Sequence, residues 1–571
     1  MNFLKLQSNA FKTIVSILFI SFCVVFVNKA LLANVVYESD DYLHHAARTA
    51  NYYLALQQGQ FPVRWAPNLN ESYGYPSFNY MYHTPYMVGS VFHFLGLSIQ
   101  QSLNFSVLFS LLIAAVGCWL LLNSYKLSSL WKVLLSLFFV LNPYTLLSVY
   151  WRGAIGELYF YAFVPLFLLC VRKLLQSKLF KQTWKLYFIA LVISTGLLVL
   201  SHLPSMILLA PLLLTVLYTE HSETRSLKIY ISLIVAGILG LLLSSWYWVP
   251  AYFEQWMIVY QDGTSLLQHT NQFSSLIAIL DIRRNFLSSE FFSGVINVGG
   301  VSLLAIIFGL ANSFFTKKIL PWLSLLLLAL FFMLNYSENV WDSVTLLQYV
   351  QYPWRMLWVI TICTLFIWIL LLREKKISHL YKKIAFGVIT FSVLFSVQGY
   401  VATKGSTTRS DFEWYHTFAT GSSFDEHRPI WSKQPYYFPE ELIFVYASES
   451  ATISKENNRK LIHSFSELHP SITSFSGTTM QYGIEPEQDI IVLHKRLFYP
   501  GWEAFLDEEK VDFIKNIPQY EGILAVAVPN RRASLVITFT GATTLRRVAE
   551  YISLLTLIGL ATFLLYPLKR N

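Results

Sequence analysis

Residues 102–123 read SLNFSVLFSLLIAAVGCWLLLN, twenty-two residues without an acid, a base or a proline. About 20 mostly apolar residues carry a helix across a bilayer, so this stretch decides the fold class. Outward from it, comparable runs recur near 11–33, 131–150, 157–175, 185–200, 203–218, 229–249, 293–315, 319–334, 356–372, 384–401 and 550–567. The pattern predicts about twelve spans. The run at 84–97, TPYMVGSVFHFLGL, is too short to cross and is expected to lie at the interface or re-enter.

Composition agrees. Hydrophobic residues make up 55% of the 571 and charged residues 13%, with a mean hydropathy of +0.48. Soluble domains carry about a quarter charged residues, so a soluble enzyme, a disordered chain and a coiled coil are excluded. The charge is unevenly placed. Window 403–549 contains 33 of the 75 charged residues, fifteen cations and eighteen anions, and is −3 within a chain of +9. The expected architecture is an α-helical polytopic membrane protein. It has a transmembrane domain at 1–402 with a large first external loop at 34–101. An extracytoplasmic β-rich domain follows at 403–549, then a last transmembrane helix and tail at 550–571. The inserted domain is large enough to bury a core of its own. Alternating strands are expected at 489–498 and 534–540, with Pro, Gly and Asn turns between.

Lys and Arg in short loops decide orientation. With a cytoplasmic N-terminus, the inner segments hold twenty cations, among them Lys126, Arg172, Lys318 and Arg373. The outer segments, leaving aside the inserted domain, hold six: Arg48, Arg64, Arg152, Arg283, Arg284 and Arg355. The positive excess is therefore a topology signal and not a sign of nucleic-acid binding. Both termini are expected inside and 403–549 outside. The first apolar run, about 23 residues, exceeds the 7–15 of a signal-peptide core and reads as an uncleaved anchor. Cys23, Cys118, Cys170 and Cys363 lie in apolar runs without a CxxC partner, so no zinc site or disulfide framework is readable.

Eleven of the fifteen acids outside the inserted domain fall on the outer side. Orientation tolerates acids there, which accounts for their side but not for their neighbours. Arg152 lies near Glu157, and Asp281 near Arg283 and Arg284. Mixed charge at a membrane edge is either a structural ion-pair network or the lining of a polar cavity. The densest set is YESDDYLHHAAR at 37–48. Ser39 suits a helix N-cap and Gly59 a stop, with Asp40 and Asp41 in the first turn, where the helix dipole favours anions. Asp41, His45 and Arg48 then share one face at i, i+4 and i+7. Adjacent His44 and His45 point in different directions, which argues against a shared metal. Downstream, GQFPVRW (59–65) and GYPSFNYMYHTPY (74–86) form an aromatic loop punctuated by Gly and Pro. It carries Arg64, Tyr82 and His83.

Together with YWRGAIGELYFYAFVPL (150–166), SHLPS (201–205), WYWVPAYFE (246–254) and QYPWRML (351–357), these motifs resemble a family of bacterial multi-spanning proteins. It is the 6-pyruvoyl-tetrahydropterin synthase-related, YfhO-like family, which is similar to GT-C glycosyltransferases. The resemblance runs from about 35 to 360. LFYPGWEAFLDEEKVDF (497–513), GILAVAVP (522–529) and SLVITFT (534–540) resemble the family's external β domain. Where that domain often has Asp-Gly in a turn, this chain has Asp507-Glu508-Glu509-Lys510. Soluble pterin synthases are zinc enzymes with a histidine cluster. No His-x-His pair or comparable cluster occurs here, so that activity is rejected.

The resemblance implies a GT-C-type membrane glycosyltransferase, a hexosyl or pentosyl transferase, in the bacterial cytoplasmic (inner) membrane. It implies a polyprenyl-phosphate sugar donor from the bilayer and an extracytoplasmic glycan, lipid or protein acceptor. The general base of such enzymes follows the first span, which maps onto Asp40 or Asp41. Asp41 is preferred because it shares a face with His45 and Arg48. Arg152, Arg355 and Arg64 suit the donor phosphate, since a guanidinium fork binds phosphate oxygens bidentately. His202 either contacts that phosphate or marks the interface. Glu157 is a second acid or a partner to a divalent cation; no cofactor is otherwise implied. His45, Arg48, Tyr82 and His83 are substrate-binding candidates. The competing readings are a transporter or flippase of a lipid-linked saccharide, or a non-catalytic scaffold. A transporter tends to show internal repeats and broken midplane helices. No repeat is visible, and the acids gather at one face.

Overall fold

The computed structural model describes residues 2–177, 179, 181–221, 226–259, 269–270, 272–281, 296–313, 317–397, 406–416, 426–432, 443–447, 462–464, 471–514, 517 and 520–566. The chain is a membrane protein built as a helical bundle capped by a β-rich domain. Among the described residues, eight helices are long and apolar enough to cross a membrane. A ninth is a bent pair, Leu227–Leu243 and Ser245–Phe253, which turns by 73° where an unbroken span at 229–249 was expected. Ser205–Thr219, Gly299–Asn312 and Ile319–Phe331 are apolar but shorter. The stretch expected to be too short forms an eleven-residue helix, Thr84–Phe94. The ends of the expected spans 293–315, 384–401 and 550–567 lie outside the described residues, as do Asp262, Arg283, Arg284 and Glu290.

Helix Ile99–Ser124, the opening stretch, is capped by Ser98, whose Oγ accepts from Gln101 N at 3.2 Å. It packs against Ile155–Gln176. Burial separates centre from rim. Spans Pro353–Arg373 and Ile155–Gln176 are 89% and 83% buried inside the protein, whereas Ala10–Val27 and Thr544–Leu565 are 17% buried and present apolar faces outward, as lipid-facing helices do. Where Gln182–Ser201 meets Leu227–Leu243, Gly240 sits so close that a Cβ would fall 2.4 Å from Thr195 Cβ. Small residues allow such approach where helices pack in lipid.

The basic loops gather at one end of the bundle. Arg172 and Arg373 stack on Tyr125, Arg172 pairs with Glu220, and Lys318 Nζ donates to Thr219 O at 2.6 Å. The β-rich domain and segment 34–98 occupy the other end. The two are stitched by antiparallel pairing of Val36–Tyr37 with Ser406–Thr407.

The β-rich domain has two antiparallel sheets. One orders strands Ile523–Val528, Ile490–Leu497, Ile443–Ala447 and Ile462–Ser464. The other orders Ser471–Phe475, Thr479–Ile484, Ala533–Phe539, Trp502–Leu506 and Glu509–Val511. Ala533–Phe539 alternates buried and open residues, as a half-buried strand should. The Asp507-Glu508 hairpin forms without glycine. Both residues take positive φ (51° and 71°), and Asp507 Oδ1 accepts from Ser534 N at 2.8 Å to hold the turn. The final helix starts at Thr544, six residues before the expected 550, because Thr543 caps it by accepting from Arg546 N at 3.2 Å.

Candidate active site

Asp40 and Asp41 precede helix Tyr42–Gln57 instead of forming its first turn. Their backbone N–H groups donate to the carbonyls of Trp151 and Arg152 at 3.2 and 3.0 Å. The expected helical turn is thus a cross-link between two loops. Gly153 permits it: at φ +68°, its Cβ would meet Ser39 Oγ at 2.9 Å. The turn Leu147–Trp151 is π-helical and closes with Arg152 N donating to Leu147 O at 2.8 Å. Such turns recur at functional sites, and this one delivers Arg152 to the acids.

Arg152 Nη1 donates to Asp40 Oδ2 at 2.6 Å, and Nη2 lies 3.7 Å from Asp41 Oδ2. The Asp41 side chain is 34% exposed and that of Asp40 20%. Burial raises the Asp40 carboxyl above the ordinary carboxylate range, and the Arg152 guanidinium opposes that rise. Tyr352 and Trp354, stacked at 5.4 Å, form an aromatic plate for two cations. Arg152 lies 4.9 Å and Arg355 5.0 Å from the Tyr352 ring. Arg355 Nε and Nη2 both approach Glu157 Oε1 at 2.9 Å, while Nη1 donates to Val350 O at 2.5 Å and Gln351 Oε1 at 2.7 Å. Tyr144 OH lies 3.4 Å from Glu157 Oε2.

His45 and Arg48, one turn on, converge on Tyr86. His45 Nδ1 is 2.8 Å from the Tyr86 hydroxyl, Arg48 hydrogen-bonds the same oxygen, and Tyr82 OH is 3.3 Å from His45 Nε2. Burial first, and then Arg48, hold the His45 imidazole well below its ordinary range, so it is neutral. Tyr82 stacks parallel on Tyr86 at 5.6 Å and packs against Gly156, where a Cβ would be 2.5 Å from the ring. His202 completes this side: its Nδ1 meets Ser205 Oγ at 2.8 Å and its ring faces Tyr82 at 6.2 Å. Nine of the candidate residues therefore come together: Asp40, Asp41, His45, Arg48, Tyr82, Arg152, Glu157, His202 and Arg355.

Arg64 and His83 fall elsewhere. Arg64 Nη1 donates to Asn79 Oδ1 at 2.8 Å, and Nη2 to Trp246 O at 3.1 Å and Glu550 Oε1 at 2.9 Å. Beside it, Arg546 Nε donates to Glu254 Oε2 at 2.8 Å, with both side chains buried. Asn79 Nδ2 bridges Glu254 and Tyr499 at 3.0 and 3.1 Å. This is a clamp joining the first loop, the bent span, the β-rich domain and the final helix. His83 packs between its neighbours, 4.5 Å from the Trp246 ring, with Nδ1 3.0 Å from Tyr52 OH. Arg64 is thus bonded within the clamp, apart from the Asp40–Arg152 pair, and its contacts hold these segments together.

Tyr86, Tyr144, Tyr352 and Trp354 escaped notice as site residues, since single aromatics in an aromatic-rich sequence carry no signal. Glu426, whose charge acts on Arg48, comes from the inserted domain, and distance along the chain hid it. Among the described residues no group of three or more His, Cys, Asp or Glu side chains is placed to hold a metal.

The cryo-EM structure of the arabinofuranosyltransferase AftD from Mycobacteria is similar over 69% of this chain and 27% of its own, at 13% identity and a TM-score of 0.43. ArnT from Cupriavidus metallidurans bound to undecaprenyl phosphate is similar over 61% of this chain and 76% of its own, at 11% identity and a TM-score of 0.31. The chain thus spans about a quarter of the length of AftD. No curated protein matches it. The model of the 6-pyruvoyl-tetrahydropterin synthase related domain, a membrane protein, matches residues 78–400, more than half of the sequence. The chain therefore belongs to the 6-pyruvoyl-tetrahydropterin synthase related family of membrane proteins.

Proposed function

We propose that the protein is a membrane glycosyltransferase that moves a hexosyl or pentosyl group from a polyprenyl-phosphate donor to an extracytoplasmic acceptor. One observation carries the reading. Two carboxylates, Asp40 and Asp41, lie against Arg152, and Arg152 shares an aromatic plate with Arg355 at one end of the bundle. Acid beside paired cations is what base-assisted displacement of a phosphate leaving group needs. In this reading Asp41, the more open acid, takes the acceptor hydroxyl proton as the oxygen attacks the anomeric carbon. The anomeric carbon–phosphate oxygen bond breaks, and the lipid phosphate leaves with the bonding electrons towards Arg152 and Arg355. A single displacement inverts the anomeric centre. Asp40 holds Arg152 in place, Glu157 holds Arg355, and neutral His45 positions Tyr82 and Tyr86. The cationic loops are cytoplasmic, so the site and the β-rich domain face outward from the bacterial inner membrane.

The test is transfer from labelled polyprenyl-phosphate sugars by the purified protein, read as release of the lipid phosphate. Asp41→Asn should lower kcat by roughly 10²–10⁴-fold, the usual worth of a general base. Asp40→Asn should act mainly through donor KM. Full activity in both variants would remove the base assignment. Protein-dependent movement of intact donor between leaflets, without release, would replace the transferase by a flippase.

A further inference from the structure

We propose that the cavity between the first-loop helix and the β-rich domain is a subsite for an anionic saccharide. The cavity holds about 600 Å³ and is lined by Tyr53, Gln57, Asn68, His93, Tyr415 and Arg496, among others. Its walls come from four separate parts of the sequence. Helix Tyr42–Gln57 links it to the acids: at 1.5 Å per residue, its lining residues Tyr53 and Gln57 stand about 18 and about 24 Å along the axis from Asp41.

Arg496 determines the sign of the occupant. The residue is 4% exposed. Nη1 donates to the backbone carbonyls of Ser72 and Lys495, and Nε is buried without a partner among the described residues. The buried Arg64, Arg172, Arg355 and Arg546 each have a carboxylate within ion-pair reach. Arg496 has none among the described residues. Glu71 acts on the neighbouring Lys495, which sits 5.0 Å from the Tyr73 ring. Burial pushes the Arg496 guanidinium down to about 10, still charged at neutral pH. Buried charges are ordinarily paired, so a guanidinium lining an open cavity without an acid calls for an anion from outside.

The remaining walls suit a sugar. Tyr53 meets His93 edge to face at 4.4 Å, and His93 Nε2 is 2.6 Å from Tyr415 OH, so the aromatic wall is braced. Asn68 Nδ2 is anchored to Tyr415 O at 2.9 Å, and Gln57 is exposed at the rim. Aromatic surface with a few fixed polar groups is the usual make-up of a small-molecule site. The anion is a carboxylate or a phosphate on the sugar. That the occupant is a saccharide rests on the transferase reading; that it is anionic rests on Arg496.

Binding to the full-length protein in detergent, without donor, tests this with four probes: D-glucuronic acid, D-glucose 6-phosphate, D-glucose and inorganic phosphate. At least one charged sugar should bind tenfold or more tighter than glucose and than phosphate, and rising salt should narrow the margin. Glucuronate ahead of glucose 6-phosphate identifies a carboxylate, and the reverse order a phosphate. Gln57→Glu, an exposed change, should shrink the charged-to-neutral ratio by about threefold or more, and Gln57→Lys should enlarge it. Arg496→Gln, with unfolding temperature checked, should abolish the preference. Equal binding of charged and neutral sugars, phosphate binding as tightly as sugar phosphate, or indifference to the Gln57 variants would overturn the subsite. Active Asp40 and Asp41 variants would remove the transfer mechanism and leave these measurements unaffected.

Discussion

At the scale of single residues, the two adjacent acids are not equivalent. Asp40 is locked to Arg152, and Asp41 is the more open. Because burial raises the Asp40 carboxyl, it takes its proton at a higher pH than an ordinary carboxylate near 3.9. Lowering the pH should therefore release Arg152 early, and donor KM should rise on the acid side. In Asp40→Asn that pH dependence of KM should vanish; a KM profile identical to the parent protein would separate Asp40 from donor binding. A buried histidine gives a second acid effect, on stability. His494 meets Tyr482 OH at 2.9 Å, and burial lowers its imidazole to about 3. The unfolded chain takes that proton near 6.5, so the stability lent by the neutral ring is present above 6.5 and is lost as pH falls towards 3. By pH 5 this amounts to about 2 kcal/mol. The unfolding temperature should drop between pH 7 and pH 5, and less so in His494→Gln.

At the scale of elements, the site is made by irregular pieces set between regular helices. The π-helical turn at Leu147–Trp151 and the bend at Ser244 each interrupt a span pattern, and the glycine at 153 sets the connection between two spans. Apolar periodicity shows where a helix runs, but not where its hydrogen bonding changes register. Gly156 offers an element-level test, because its missing Cβ admits the Tyr82 ring onto helix Ile155–Gln176. Gly156→Ala should leave insertion and helix content intact, since alanine favours a helix. It should displace Tyr82 from His45 and lower transfer at least tenfold. Unchanged kinetics would mean that Tyr82 positions nothing.

At the scale of the molecule, a buried clamp seats the β-rich domain on the bundle. Arg546 and Glu254 are both sequestered, and Arg64 and Glu550 flank them. Removing one member of a buried pair strands the other charge at a cost of about 3–5 kcal/mol. Glu254→Gln should accordingly lower the unfolding temperature and expose the β-rich domain to limited proteolysis. Glu254→Gln with Arg546→Met should recover part of the loss, because no lone charge remains. If Glu254→Gln melts and resists protease like the parent, the clamp does not hold the domain.

The sequence by itself determined the membrane class, the inserted β-rich domain and the end of the bundle where acids and lone arginines gather. Those properties follow from local composition: an apolar run has one stable environment, and charge must avoid it. Tertiary structure alone decided which arginine serves which acid. Arg64, matched to phosphate by residue type and loop position, is bonded within the clamp, while Arg152 and Arg355, some two hundred residues apart, share the Tyr352–Trp354 plate. The same holds for the cavity at Arg496, whose walls meet only after the β-rich domain docks. A side chain's type states what it can bind. Whether another part of the chain has already bound it depends on contacts between distant segments, and these no local pattern encodes.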